Sequence, residues 1–378
     1  MVDLVIIGGD NYNTLGCVRC FGLKNVPFRL ILVTTKKRTV VGSSRYVGEC
    51  YRRETEKEAI DLLIEKRADW KGSVVIPASD KVEALLDKHS SDLSGCYYFP
   101  HCDMPRKTEH LMDKAVQMEY AEAAGLKVPV TFRYHRGQPL PDRLPYPCII
   151  KQENSTEGQK KRMNVCRTEA EVKSALAENG QTDEFLIQQY VERTHELLLI
   201  GCRLDDGKVW IPAVFKKTRW MQKGGDASYG IISTDVPSHY PQLDRVKRLI
   251  QDMGYYGPFS AEFGVEGNDA FFYEVNMRND GTSHYFHAAH VFVPYVYYLS
   301  CKNLPLAGSL DIQSVEYTFI DEFGDLMNVP GEVTFFRWLK ECKEARAYKY
   351  YMKSDKRPFL RSIPKGIAWV VYKKIKGQ

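Results

Sequence analysis

The sequence predicts an α/β unit with a doubly wound parallel sheet, followed by an α+β region built on antiparallel strands. Two observations predict it. Over roughly the first 100 residues, short apolar runs alternate with segments of helical periodicity. Further along, apolar runs face each other across tight polar turns, as hairpin strands do. A chain of 378 residues is also too long for one small core, so two or three units are expected.

The first strand is the run DLVIIG, closed by Gly8-Gly9. A helix over Leu15–Leu23, a strand over Phe28–Val33, a helix over Glu56–Lys66 and a strand over Ser73–Pro77 follow. Asp80–His89 reads as helix and Cys96–Phe99 as a fourth strand. Gly8, Gly9 and Gly16 do not make GxGxxG, which argues against a dinucleotide-binding dehydrogenase. Lys107–Gly125 reads as one long bridging helix, stopped by Gly125 and Pro129. Then come a proline-punctuated loop, a strand at Cys148–Lys151, a helix at Glu169–Glu178, and strands at Phe185–Val191, Glu196–Arg203 and Val209–Lys216. Lys216–Ser233 reads as a long loop and Leu243–Met253 as a helix. Ser260–Val265 and Ala270–Val275 form a hairpin, and Glu341–Lys353 a basic, Tyr-rich helix.

Composition narrows the class. The chain is 44% apolar and 27% charged with a net charge of +5, which is ordinary for a soluble globular protein. Its basic runs, such as Lys36-Lys37-Arg38, are short, so no nucleic-acid partner is expected. A spanning run of about 20 apolar residues and a signal peptide are both missing, which argues for a cytoplasmic protein with no membrane partner. Ten scattered cysteines suit a reducing compartment, with Cys17 and Cys20 as small buried residues one helical turn apart. The aromatic segment Phe292–Leu299 reads as core or as the interface of a homodimer.

The chemistry concentrates in FSAEFGV and FFYEVNMR. If these segments pair, Glu262 and Glu274 project from one sheet. Asn276 lies two residues beyond Glu274, on the same face, and Arg278 two further. Apolar neighbours make an unpaired carboxylate there expensive, so a hard cation is expected, with magnesium the natural choice. Two lysines add to this. Lys151 ends an apolar strand and Lys114 follows Asp113 at a helix start, and both want an anion such as phosphate. The polar loop NSTEGQKKR, residues 154–162, has the character of a lid over phosphates.

In this order the pieces resemble the ATP-grasp superfamily of carboxylate-activating ligases. The matching parts are Asp113-Lys114, the strand ending at Lys151, the loop NSTEGQKK, LIQQYV with Glu196, AEFGV, and EVNMR against the family's ExNxR. The resemblance covers roughly residues 1–290. It implies a pre-ATP-grasp α/β domain (1–105), a small lobe with its linking helix (106–195), a large lobe with the metal site (196–310) and a C-terminal extension (311–378). It further implies ATP and Mg2+ (or Mn2+). Lys114 and Lys151 would hold phosphates, Gln188-Gln189-Tyr190-Val191 would read adenine mostly through backbone, and Glu196 would meet the ribose. Glu262, Glu274 and Asn276 would bind the metal, and Arg278 would face the transferred phosphate. The family's hinge is usually acidic, and here it is Gln188-Gln189. The segment PASDKVEALLDKH, Pro77–His89, is similar to the branch near carbamoyl-phosphate synthases and D-aspartate ligase, which puts Asp80 at the ligand crevice.

The implied reaction activates a carboxylate as an acyl phosphate and couples it to an amine, with an amino acid or peptide-like precursor as the expected substrate. Arg219, inside the long segment after the hinge strands, and His284, just past the metal strand, are further substrate-side candidates. His284, His287 and His290 spiral around a helix and do not call for zinc. Two alternatives stay open: a phosphoryl transferase on the same fold, and a nucleotide-binding protein without turnover.

Overall fold

The computed structural model describes residues 2–152, 165–178, 183–221, 226–329 and 331–375. Five parallel strands open the chain: β1 (Leu4–Gly9), β2 (Arg29–Val33), β3 (Glu49–Arg53), β4 (Ser73–Pro77) and β5 (Tyr97–Tyr98). Their order is β3-β2-β1-β4-β5. The central strands β1 and β4 are covered on both faces, which is why they read as unbroken apolar runs. β3, with the sequence ECYRR, sits at the edge and half-exposed, so it carries no apolar signature. The helices Tyr12–Leu23, Glu56–Glu65 and Asp80–Lys88 start where Asn11, Thr55 and Ser79 accept a bond from a first-turn N–H. Gly8 allows the first of them to sit close to the sheet: a Cβ there would stand 2.3 Å from Thr14 Oγ1.

After the short strand β6 (His101–Cys102), the expected long helix is two helices, Lys107–Leu111 and Lys114–Ala123. Asp113 breaks it by accepting from Ala115 N–H as an N-cap. A second, antiparallel sheet holds β7 (Thr131–His135), β8 (Cys148–Gln152), β9 (Val165–Cys166) and β10 (Glu184–Gln189), in the order β7-β10-β8-β9. One face packs Cys148, Ile150, Phe185 and Ile187 against the helix Glu169–Glu178. The other carries Lys151 and Gln188. The loop 154–162 lies outside the described residues.

The third sheet is the largest. It contains β11 (His195–Arg203), β12 (Val209–Trp220), β13 (Ala227–Ser233), β14 (Tyr255–Glu266), β15 (Asp269–Asn276), β16 (Glu316–Ile320) and β17 (Ala347–Tyr348), ordered β15-β14-β11-β12-β13-β16-β17, with β6 beside β14. One face buries Leu197, Leu199, Val214, Phe263 and Phe272 with the helix Leu243–Asp252. The opposite face, with Leu198, Ile200 and Phe215, joins the core that includes the first sheet.

Two sequence expectations give way here. Lys216–Ser233 is mostly strand, because β12 runs on to Trp220 and β13 starts at Ala227. Phe215, Lys217 and Arg219 alternate inward, and the two charged members hid the strand period. The helix expected at Glu341–Lys353 is Phe335–Glu344, capped by Thr334 and followed by β17. The aromatic segment Phe292–Leu299 is core: in the helix Val293–Cys301, Val296, Tyr297 and Leu299 are buried, which removes its value as evidence for a dimer. All ten cysteines are free thiols.

Candidate functional site

The site is built from strand register. β14 and β15 pair Glu262 with Glu274 and Ser260 with Asn276. β11 and β12 extend the same face, because Leu198 pairs with Glu262, Phe215 with Leu198, and Lys217 with Glu196. Side chains opposite one another in antiparallel strands share a face. Glu196, Lys217, Glu262, Glu274 and Asn276 therefore form one polar field on a sheet whose other side is apolar.

Cations meet this field from three directions. Lys217, on β12, places Nζ 2.7 Å from Glu262 Oε2 and 3.5 Å from Glu196 Oε2. Lys114 leads its helix and forms an ion pair with Glu274. Gln117, one turn along, clamps that helix to β15: its amide donates to Val275 O at 2.9 Å and accepts from Val275 N at 2.8 Å. Arg278 follows β15 and makes a two-pronged contact with Asp80, Nε to Oδ1 at 2.8 Å and Nη2 to Oδ2 at 3.2 Å. It also donates to Asn276 Oδ1. Asp80 stands in the first turn of its helix, while the N-cap is Ser79.

The third lysine has a different partner. Lys151 donates to Gln188 Oε1 at 2.6 Å, and Gln188 in turn donates to Thr131 Oγ1 at 2.8 Å. Burial, reinforced by the nearby charge of Lys114, brings Lys151 down to about 8. An acid at position 188 would ion-pair with this lysine, whereas the amide leaves only the charge of Glu274 to favour its protonated form. Gln189 accepts from Val130 N–H through its side chain. The backbone N–H groups of Gln189 and Tyr190 donate to Val130 O and Pro147 O, and Val191 is buried.

Electrostatics follow from burial and partners. Burial and the neighbouring Glu274 charge push Glu262 up, against the pull of Lys217. Burial acts on Glu274 too, but Lys114 outweighs it and holds this carboxyl below its usual range. Burial opposes the charge on Arg278, yet Asp80 and Asp280 raise its pKa, so it stays cationic. Burial pushes Asp280 up, but Arg278 and the bonds it accepts from Thr282 and Ser260 Oγ outweigh this and hold it below its usual range.

These groups surround a cavity of about 690 Å³. Lys114, Lys217, Glu262, Glu274, Asn276 and Arg278 line one side, and Tyr12, Asp80 and Asp226 face them from elsewhere in the fold. Gly281 leaves room for the Tyr12 ring, since a Cβ there would lie 2.4 Å from it. Among the described residues, no group of three or more His, Cys, Asp or Glu has metal-holding geometry. Two carboxylates in register and one amide suit a hard cation that takes its remaining oxygens from water or phosphate. The amines now resting on both carboxylates show that the field accepts positive charge.

Two expected substrate groups are elsewhere. Arg219 is buried in an interior ion pair, with Nε and Nη2 at 2.7 and 2.6 Å from the Asp325 carboxylate and Nη2 at 2.7 Å from Glu341. It is fully used in tying β12 to the C-terminal extension, so it does not clamp a substrate. His284 is buried, its Nε2 2.9 Å from Lys349 O, and burial brings it down to about 3. It stays neutral inside the core and has no route to proton transfer. Lys217, Gln117, Asp280 and Tyr12 were missed. Lys217 had one available signal, its strand parity with Phe215. Asp280 continues the period of two from Glu274 through Arg278 and bonds to nearby Thr282, whereas Gln117 and Tyr12 are positioned by contacts distant in sequence.

Comparison with known proteins places this geometry in context. Residues 127–291 match the model of the ATP-grasp domain. A formate-dependent phosphoribosylglycinamide formyltransferase from a Nitratiruptor species is 22% identical over 241 residues, 61% of this chain and 58% of that protein. The protein of the same name from Sulfurisphaera tokodaii is 28% identical over 146 residues, 36% of each. The chain thus spans about half, or less, of these relatives. The N5-carboxyaminoimidazole ribonucleotide synthetase of Thermus thermophilus superposes with a TM-score of 0.64 at 17% identity, over 87% of both chains. An L-amino acid ligase from Bacillus licheniformis gives 0.62 at 15% identity, over 83% of this chain and 78% of that one.

Proposed function

For a chain whose residues 127–291 match the ATP-grasp domain, we propose an ATP-dependent ligase that activates a carboxylate as an acyl phosphate and joins it to an amine. One observation carries the reading. Glu262 and Glu274 stand in register on one cavity wall, with Lys114, Lys217 and Arg278 around them. The likeness to formyltransferase, synthetase and amino acid ligase folds supports it.

The residues divide the work. Lys114 and Lys151 approach from two elements and bind the phosphate chain of ATP. Adenine meets the backbone of the Gln188–Val191 segment through groups not already bonded to Val130 and Pro147. Glu262, Glu274 and Asn276 would hold Mg2+ or Mn2+, which when bound neutralises phosphate charge. Arg278, held by Asp80, stays cationic and faces the phosphoryl group. The carboxylate oxygen of the substrate attacks the γ-phosphorus and ADP leaves. The amine nitrogen then attacks the acyl carbon, phosphate leaves, and the nitrogen loses a proton. Tyr12 and Asp226, which also line the cavity, would contact the acceptor, with Asp80 beside them holding Arg278.

The test is ADP and free phosphate release from magnesium-ATP with paired pools of carboxylic acids and amines, amino acids included. The proposal expects both products only when both partners are present, with loss in Glu274→Gln. ADP without free phosphate would replace it by a kinase. ATP binding with no turnover in any pool would replace it by a binding protein.

A further inference from the structure

Eight of the fourteen large hydrophobic residues exposed among the described residues fall between Phe335 and Tyr372. Most lie on one helix, Lys356–Ile375, that the ligase reading does not use. The helix is apolar on two faces. The inner face carries Phe359, Ser362, Ile363, Gly366 and Val370 and is docked: Phe359 stacks on Phe323 at 6.0 Å, Val370 is buried, and a Cβ on Gly366 would fall 2.5 Å from the Phe323 ring.

The outer face repeats at i, i+4, i+7, i+11 with Leu360, Pro364, Ile367 and Val371. It is unpartnered, with Leu360 60%, Ile367 53% and Val371 49% exposed. Exposed Arg357 and Arg361 flank it, while Lys365 reaches back to the buried Asp10 carboxylate at 4.0 Å. Exposed Trp369 and Tyr372 lie nearby, residue types that favour a membrane–water interface. From Lys356 to Gln378 the sequence holds seven Lys and Arg and no Asp or Glu.

We propose that the outer face of the helix Lys356–Ile375 docks on an anionic lipid surface. An apolar stripe with cationic flanks is what such a surface holds, the stripe entering the headgroup region and the bases meeting lipid phosphates. The same charge disfavours a second copy of the chain, since symmetric pairing would set bases against bases. No helix among the described residues is long and apolar enough to cross a membrane, so the contact is one of surface. This departs from the sequence expectation of no membrane partner, and it does not depend on the ligase reading.

The test is flotation of the full chain with vesicles of neutral phosphatidylcholine or of the same lipid with phosphatidylglycerol. Binding is expected on the anionic vesicles only, falling with salt. Arg357→Glu/Arg361→Glu should weaken it by at least about fivefold per charge removed. Ile367→Ser/Val371→Ser should abolish it, with the unfolding midpoint of both variants unchanged. Equal binding to neutral vesicles, no binding to either, or binding that survives both variants would overturn the proposal. So would a dimer that Ile367→Ser disperses, or a double-stranded DNA fragment that competes the chain off the vesicles.

Discussion

Lys217 Nζ lies 2.7 Å from Glu262 Oε2, inside a sheet and in the wall of the cavity. The amine stands at one of the two carboxylates assigned to the metal, and Lys114 stands at the other. Substituting Lys217→Met takes the cation from Glu262, while Glu196 keeps Arg193 at 2.7 Å. Losing one partner of a buried ion pair costs about 3–5 kcal/mol, so the unfolding midpoint should fall by several degrees. Added Mg2+ should raise the midpoint of the variant more than that of the parent protein. Equal shifts in a thermal melt would detach Glu262 from the metal.

Lys151 makes nucleotide binding pH-dependent. Burial first, then the charge of Lys114, puts the free amine at about 8. Phosphates favour the charged form, so the bound amine titrates higher. Between these two values ATP binding takes up a proton, and affinity should fall as pH rises through 8 toward the bound pKa. Calorimetry at pH 8.5 in buffers of different ionisation enthalpy should report net proton uptake, lost in Lys151→Met. Gln188→Glu should move the onset to higher pH, because a carboxylate would hold the proton on Lys151.

Gln117 positions Lys114 without touching ligand. Gln117→Leu leaves the buried N–H and C=O of Val275 without their side-chain partner, at about 1–3 kcal/mol each. The helix carrying Lys114 should loosen on β15. The expected result is a lower melting point together with a raised KM for ATP. Gln117→Glu, which keeps the acceptor, should recover part of both.

Arg219 is structural, and its variants should say so. Arg219→Met strands Asp325, which is fully buried, and costs about 3–5 kcal/mol of stability. Activity per folded molecule and the KM for the acceptor should stay near those of the parent. A selective rise in acceptor KM at unchanged melting temperature would restore the substrate-clamp role.

Asp80 holds Arg278 across the junction between the first sheet and the third. Asp80→Asn should keep the fold and leave the arginine less constrained, lowering kcat more than it raises the KM for ATP. Steady-state kinetics at saturating ATP separates the two effects.

Elements whose signal is local can be read from the chain alone. Buried strands such as β1 and β4 are continuous apolar runs, and the parity of Glu274, Asn276 and Arg278 follows from a period of two along one strand. EVNMR and the lysines after Asp113 and Ile150 were singled out by their order along the chain, and the fold gathers EVNMR and Lys114 at one cavity. Tertiary structure decided the rest, because burial and pairing are set by residues far apart in sequence. Asp325 lies 106 residues and Glu341 122 residues beyond Arg219, so an apparent substrate arginine became an interior ion pair. His284 became neutral only when Gly16 and Lys349 closed around it. Lys217 entered the site only when β12 aligned beside β11, placing its amine between Glu196 and Glu262.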